Sequence, residues 1–118
     1  MKKTISSFKF AWNGILLAFK ERNFRIQFVV GFLSWILGIY FIISRTEWLI
    51  LILFSALVLG LEIVNTAIEK TCDLICSEQN ESIKTIKDLS AGAVLLVSIL
   101  SLAAGIIIFL PKFIAFFS

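Results

Sequence analysis

The sequence predicts an all-α membrane protein, with an N-terminal amphipathic surface helix followed by three transmembrane helices. Composition points there first. Of 118 residues, 59% are hydrophobic and only 16% are charged, against about 45–50% and about 25% in soluble globular domains. The mean hydropathy is +1.00. Charge placement points the same way: three runs almost free of charge are each long enough to cross a bilayer, which takes about 20 apolar residues. The chain is read as one membrane-embedded domain over residues 1–118.

Residues 1–24 form the first element. Ile5, Phe8, Trp12, Ile15, Leu16 and Phe19 recur at helical spacing, with Lys2, Lys9, Asn13 and Lys20 on the other side. That is the pattern of a helix lying in the interface plane. No apolar core directly follows Met1-Lys2-Lys3, and no small-residue cleavage site precedes Lys20-Glu21-Arg22, so no cleaved signal is expected. Three spans follow. Residues 26–44 carry no charge, 48–68 carry only Glu62, and 89–111 carry none. Trp48 opens the second span, where an interfacial aromatic is expected.

The same composition excludes several chemistries. There is no His, which removes Ser-His-Asp triads and His-based zinc sites. A net charge of +3 is too small to argue for nucleic acid. The two cysteines, Cys72 and Cys76, fit one helix face as reduced thiols, with no third ligand for a metal. No GxxxxGK[ST] or protein-kinase HRD or DFG motif is present, so any nucleotide site has another architecture.

Glu62 is the anomaly. A charged carboxylate at the centre of a span costs about 2.5–3.5 kcal/mol on insertion scales, and such residues are functional candidates. At 100° per residue, Asn65, Thr66, Glu69 and Asp73 fall within about 60° of Glu62. One polar stripe therefore runs from the bilayer to the cytoplasmic surface, with Glu62 and Glu69 about 10.5 Å apart along the axis. Asn and Thr alone also suit a packing seam, but two like charges do not hold helices together. Glu21, the loop Ser77-Glu78-Gln79-Asn80-Glu81, and Lys87-Asp88 reach the same face. Carboxylates from different helices together with a Lys suit magnesium–phosphate chemistry. The residues alone leave two readings: a lipid kinase, or a small oligomeric transporter or channel using Glu62 as an intramembrane coupling carboxylate.

Glu62-x-x-Asn65-Thr66-Ala67-Ile68-Glu69-x-x-x-Asp73, followed by Lys84-x-x-Lys87-Asp88-x-x-Ala91-Gly92-Ala93-Val94-Leu95, resembles the prokaryotic diacylglycerol kinase and undecaprenol kinase family. Glu21-Arg22-Asn23-Phe24-Arg25 matches the family's segment before the first span. The resemblance implies a homotrimer in the bacterial cytoplasmic (inner) membrane, with composite active sites between subunits. It implies transfer of the ATP γ-phosphate to the primary hydroxyl of a membrane lipid. The product is undecaprenyl phosphate or phosphatidic acid, and the segment Glu21 to Ile26 favours undecaprenol. By position, Glu62 resembles the catalytic base and Asn65 a residue supporting the reacting centre. Glu21 and Glu69 resemble the Mg2+ ligands that also organise ATP. Lys87 resembles the phosphate-contacting Lys and Asp88 its neighbour in the nucleotide site. Glu78, Gln79 and Asn80 match the loop against the nucleotide, and Lys3 and Phe10 lie near nucleotide-contact positions.

Orientation follows from Lys and Arg. Six precede the first span: Lys2, Lys3, Lys9, Lys20, Arg22 and Arg25. The first loop has Arg45, the second Lys70, Lys84 and Lys87, and the tail Lys112. The N-terminus and the 70–87 loop are thus expected in the cytoplasm and the C-terminus outside. A reporter active only in the cytoplasm should be silent when fused at the C-terminus, and activity there overturns the topology.

Overall fold

The computed structural model describes residues 1–76, 78 and 80–118. Four helices account for nearly all of them: α1 (Lys2–Ala18), α2 (Arg22–Tyr40), α3 (Arg45–Ile75) and α4 (Glu81–Phe117). The last three are long and apolar enough to cross a membrane. Helix α3 is central. It packs against α4 along one side, against α2 along another, and touches α1. The result is a flat slab of 56 × 43 × 21 Å, about two helix diameters thick.

Helix ends follow from identifiable caps. The surface helix stops at Ala18 rather than running to residue 24, and Arg22–Phe24 belong to α2. At the corner between them, Arg25 Nη1 donates to the carbonyls of Phe19 (3.1 Å) and Lys20 (3.3 Å), satisfying acceptors that a helix end leaves open. Phe19 packs edge-on against Phe24 and Phe28 beneath it. Helix α3 starts in a capping box: Glu47 N–H donates to Ser44 Oγ (3.1 Å), and Ser44 N–H to Glu47 Oε1 (3.0 Å). Asn80 Oδ1 caps α4 by accepting from the amides of Ser82 and Ile83.

The first span also ends early, at Tyr40 rather than Ser44. The chain leaves α2 through a Schellman turn, with Ile43 N–H on the Gly38 carbonyl and Ile42 N–H on the Ile39 carbonyl. The left-handed position is Ile42, at φ 51°, where glycine is the usual occupant. No Gly or Asn marks this turn in the sequence, so hydrophobicity alone runs past it. Gly38 matters differently: a Cβ there would lie 3.0 Å from both Ile43 Cδ1 and Trp48 Cη2.

At α3's N-terminal end, Ile43, Leu51, Ile108 and Phe109 are buried together, flanked by Leu37, Phe41, Trp48 and Phe113. Across that same end Lys112 Nζ meets Glu47 Oε2 at 3.0 Å. Helix α4 passes Pro111 without ending and continues to Phe117. Midway, Trp35 Nε1 donates to Ser55 Oγ (3.0 Å), joining α2 to α3. The two flanking helices leave a groove over α3 of about 510 Å³, lined by Ser34, Ser55, Ser98, Ser101 and apolar neighbours.

Most apolar side chains face outward. The accessible surface is 9137 Å², whereas a compact soluble chain of 13.3 kDa exposes about 6,450 Å². The α1 stripe shares in this, with Phe8 72% and Trp12 62% exposed. Lipid is the solvent that makes such a surface stable.

Two substitutions at the α2–α3 corner should act in opposite directions. Gly38→Val forces atoms into the Ile43 and Trp48 contacts and should lower stability by about 1–3 kcal/mol. Ile42→Gly removes left-handed strain of about 1–2 kcal/mol, partly offset by glycine's backbone entropy. A net gain of about 1 kcal/mol is expected. Reversible unfolding in mixed detergent micelles measures both.

Candidate functional site

Helix α3 runs unbroken through 31 residues, about 46 Å, well beyond a hydrocarbon core of about 30 Å. The polar stripe therefore keeps its register as it leaves the membrane. Burial falls steadily along it. Glu62 is 4% and Asn65 6% exposed, Thr66 is half-buried, and Glu69 and Asp73 are exposed. The sequence expectation of one face running from interior to surface is met in detail.

Polar contacts along the stripe are specific. Asn65 Nδ2 donates to Glu69 Oε1 (3.1 Å), and Asn65 Oδ1 accepts from Ser90 Oγ on α4 (2.7 Å). A carboxylate can only accept and an amide nitrogen only donate, so these two bonds fix the Asn65 amide. Thr66 Oγ1 donates to the Glu62 main-chain carbonyl (3.0 Å). The two polar neighbours of Glu62 on its own helix are thus engaged elsewhere, which leaves its carboxylate for another partner. Glu62 and Glu69 lie on one face of α3, and Glu21 reaches the same helix at Lys70.

Glu21 enters from the α1–α2 corner. It is the N-cap residue of α2, yet its side chain makes no cap bond. Its Oε1 lies 3.6 Å from Lys70 Nζ on α3. From α4, Lys87 Nζ donates to Asp73 Oδ1 at 2.6 Å. Lys87 lies outside the spanning segment 89–111, and this bond holds its ammonium above the ordinary range, with Glu69 adding to the field. Lys84 pairs with Asp88 at 2.6 Å on the exposed side of α4. Among the described residues, Glu62 and Glu69 have no cation within ion-pair distance.

The chemistry of these donors suits a hard cation. Among the described residues no three acidic or cysteine side chains converge into an all-protein metal cage. Magnesium does not need one, since it is usually held by one or two carboxylates plus substrate phosphates. Glu69, poised at the surface by Asn65, and Glu21, uncommitted to capping, are two such oxygens.

Other expected contacts are placed less centrally. Glu78 is exposed and its carbonyl accepts from Cys76 Sγ. Asn80 is occupied in capping α4. Gln79 and Ser77 lie outside the described residues. Lys3 and Phe10 share one face of α1, seven residues apart, and Phe10 is 75% exposed. Both cysteines are free thiols, Cys72 buried and Cys76 at the C-cap of α3.

Ser90, Lys70 and the pairing role of Asp73 were not singled out from sequence. All three depend on which face α4 or α2 turns toward α3. The antiparallel register of α3 on α4 brings 65 beside 90 and 73 beside 87, and no local pattern encodes it.

Comparison with known proteins gives one consistent result. The family model described as prokaryotic diacylglycerol kinase matches residues 9–109. An undecaprenol kinase of Bacillus subtilis (strain 168) is 37% identical over 113 residues, covering 95% of this chain and 92% of that protein. A diacylglycerol kinase of Synechocystis sp. (strain PCC 6803) is 37% identical over 107 residues, covering 89% of this chain and 61% of that protein.

Proposed function

The chain belongs to the prokaryotic diacylglycerol kinase family and is a multi-pass membrane lipid kinase; we propose that it transfers the γ-phosphoryl group of ATP to the primary hydroxyl of undecaprenol, with magnesium. The observation that carries this reading is the burial gradient on α3. A buried carboxylate, Glu62, is linked along one helix face to a surface carboxylate, Glu69, with Glu21 and Lys87 brought in from α2 and α4. A lipid hydroxyl can approach the first from the bilayer, and a hydrated polyphosphate can approach the others from water. Undecaprenol is favoured over diacylglycerol on the segment Glu21 to Ile26, which resembles the undecaprenol branch of the family; the two relatives are equally identical to this chain, at 37%.

In the proposed reaction Glu62 accepts the proton of the lipid hydroxyl as its oxygen bonds to the γ-phosphorus. The bond from that phosphorus to the β,γ-bridging oxygen breaks and ADP leaves. Asn65 holds Glu69 in place from one side and is itself fixed by Ser90. Lys87 contributes positive charge near the phosphates. Glu21 and Glu69 would hold magnesium, which when bound neutralises charge on the phosphate oxygens. The remaining catalysis in phosphoryl transfer is positioning and charge stabilisation. The residues from Glu78 to Asn80, with Asp88, Lys3 and Phe10, are assigned to the nucleotide's outer contacts.

The many large apolar side chains left exposed support assembly of copies, and a homotrimer in the bacterial inner membrane is proposed. Purified protein in mixed micelles, labelled ATP, and undecaprenol beside diacylglycerol test the reading directly. Magnesium-dependent label on undecaprenol is expected. Solute flux in proteoliposomes without nucleotide, and no labelled lipid, overturns it in favour of a transporter.

Glu62→Gln should preserve fold, assembly and nucleotide binding while turnover falls about 10²–10⁴-fold, the usual cost of losing a general base. Turnover within a few-fold of the parent removes the base assignment, and failure to assemble makes Glu62 a packing residue. Glu69→Gln should raise the magnesium concentration for half-maximal activity while leaving lipid binding intact, with Glu21→Gln acting in the same direction. An unchanged magnesium titration takes Glu69 out of the metal site.

A further inference from the structure

Asp73 stands one turn beyond Glu69 on the exposed end of α3, and its Oδ1 accepts from Lys87 Nζ of α4 at 2.6 Å. The pair is open to water, with side chains 66% and 38% exposed. Exposed ion pairs contribute little to stability, so holding the fold together is a weak reason for this contact. Geometry suggests a better one. Glu69 stands four residues before Asp73 on the same face of α3, about 6 Å along the axis, within reach of a Lys stem held at Asp73. A Lys ammonium is a mobile point charge on a four-carbon stem. Left unrestrained, it would relax onto Glu69, whose only hydrogen bond to a described side chain comes from Asn65. That collapse would neutralise the carboxylate proposed for magnesium and consume the cation proposed for phosphate.

We infer that Asp73 is a positioning residue: by holding Lys87 across the α3–α4 gap it keeps the ammonium off Glu69 and aimed at incoming phosphate. An ammonium has three N–H donors, so Lys87 can keep Asp73 and still give two to phosphate oxygens. No contact between Asp73 and nucleotide is required. The inference rests on the kinase reading above and adds a residue to it.

The test uses full-length protein in detergent micelles and reads equilibrium binding of labelled magnesium-ATP, KM for ATP, and kcat. Asp73→Asn keeps the size and removes the charge. It should weaken magnesium-ATP binding and raise KM for ATP roughly tenfold, the scale of one misdirected hydrogen bond to a charged group. The KM for lipid and the unfolding midpoint should hold. Asp73→Glu should recover most of the loss. In a Lys87→Met background, Asp73→Asn should add nothing, because its effect passes through Lys87; a merely structural role would add in full. Unchanged ATP binding and KM in Asp73→Asn overturns the inference alone. A lower KM also overturns it, since Asp73 would then be competing with phosphate for Lys87. A parent protein that binds no magnesium-ATP overturns the kinase reading and this inference together.

Discussion

The unbroken passage of α3 from hydrocarbon into water is the constraint on which the site depends. A helix that ended at the membrane surface would leave Glu62 and Glu69 in unrelated frames. A helix that continues carries residues 62, 65, 66, 69 and 73 on one face with fixed spacing. The 31-residue length of α3 thus converts a sequence interval into a ruler between a buried carboxylate and a water-accessible one. Helix α4 has the same property over 37 residues. Its extension delivers Lys87 and Ser90 to the same strip, so the site is built where two long helices leave the bilayer side by side.

The molecule separates its polar work from its packing work along this axis. The apolar cluster of Ile43, Leu51, Ile108 and Phe109 lies at the end of α3 far from the stripe, closed by the Ser44–Glu47 capping box and the Glu47–Lys112 pair. Strain at Ile42 and the close approach permitted by Gly38 are also confined there. At the other end three acidic groups have lysine partners: Glu21 with Lys70, Asp73 with Lys87, Asp88 with Lys84. Glu62, Glu69, Glu78 and Glu81 have none among the described residues, and of these four only Glu62 is buried. A buried carboxylate without a counter-ion is costly to keep and is retained where a proton or a cation has to be taken up.

Surface area adds a second constraint. The chain exposes far more surface than a soluble protein of its mass, much of it on large apolar side chains, and it forms a slab only 21 Å thick. Bilayer lipid must cover most of the spans, while the stripe lies where the slab meets water. A shallow site of this kind suits a reaction whose two substrates arrive from different phases.

The sequence by itself determined the class of the protein, its three spans and the composition of the stripe, because each rests on local quantities: hydrophobic run length, absence of charge, and helical period. Glu62, Asn65 and Glu69 could be assigned to one face before any coordinates, since a continuous helix obliges it. Helix ends were less legible. The turn after Tyr40 uses Ile42 where glycine is customary, and Arg25 closes α1 through a side chain six residues away, so neither end carries a compositional mark. Only tertiary structure decided which lysine meets which carboxylate and which hydroxyl fixes Asn65. Those contacts depend on the rotation and register of α4 and α2 against α3, set by packing of apolar faces far from the residues concerned, and no spacing within a single helix records that choice.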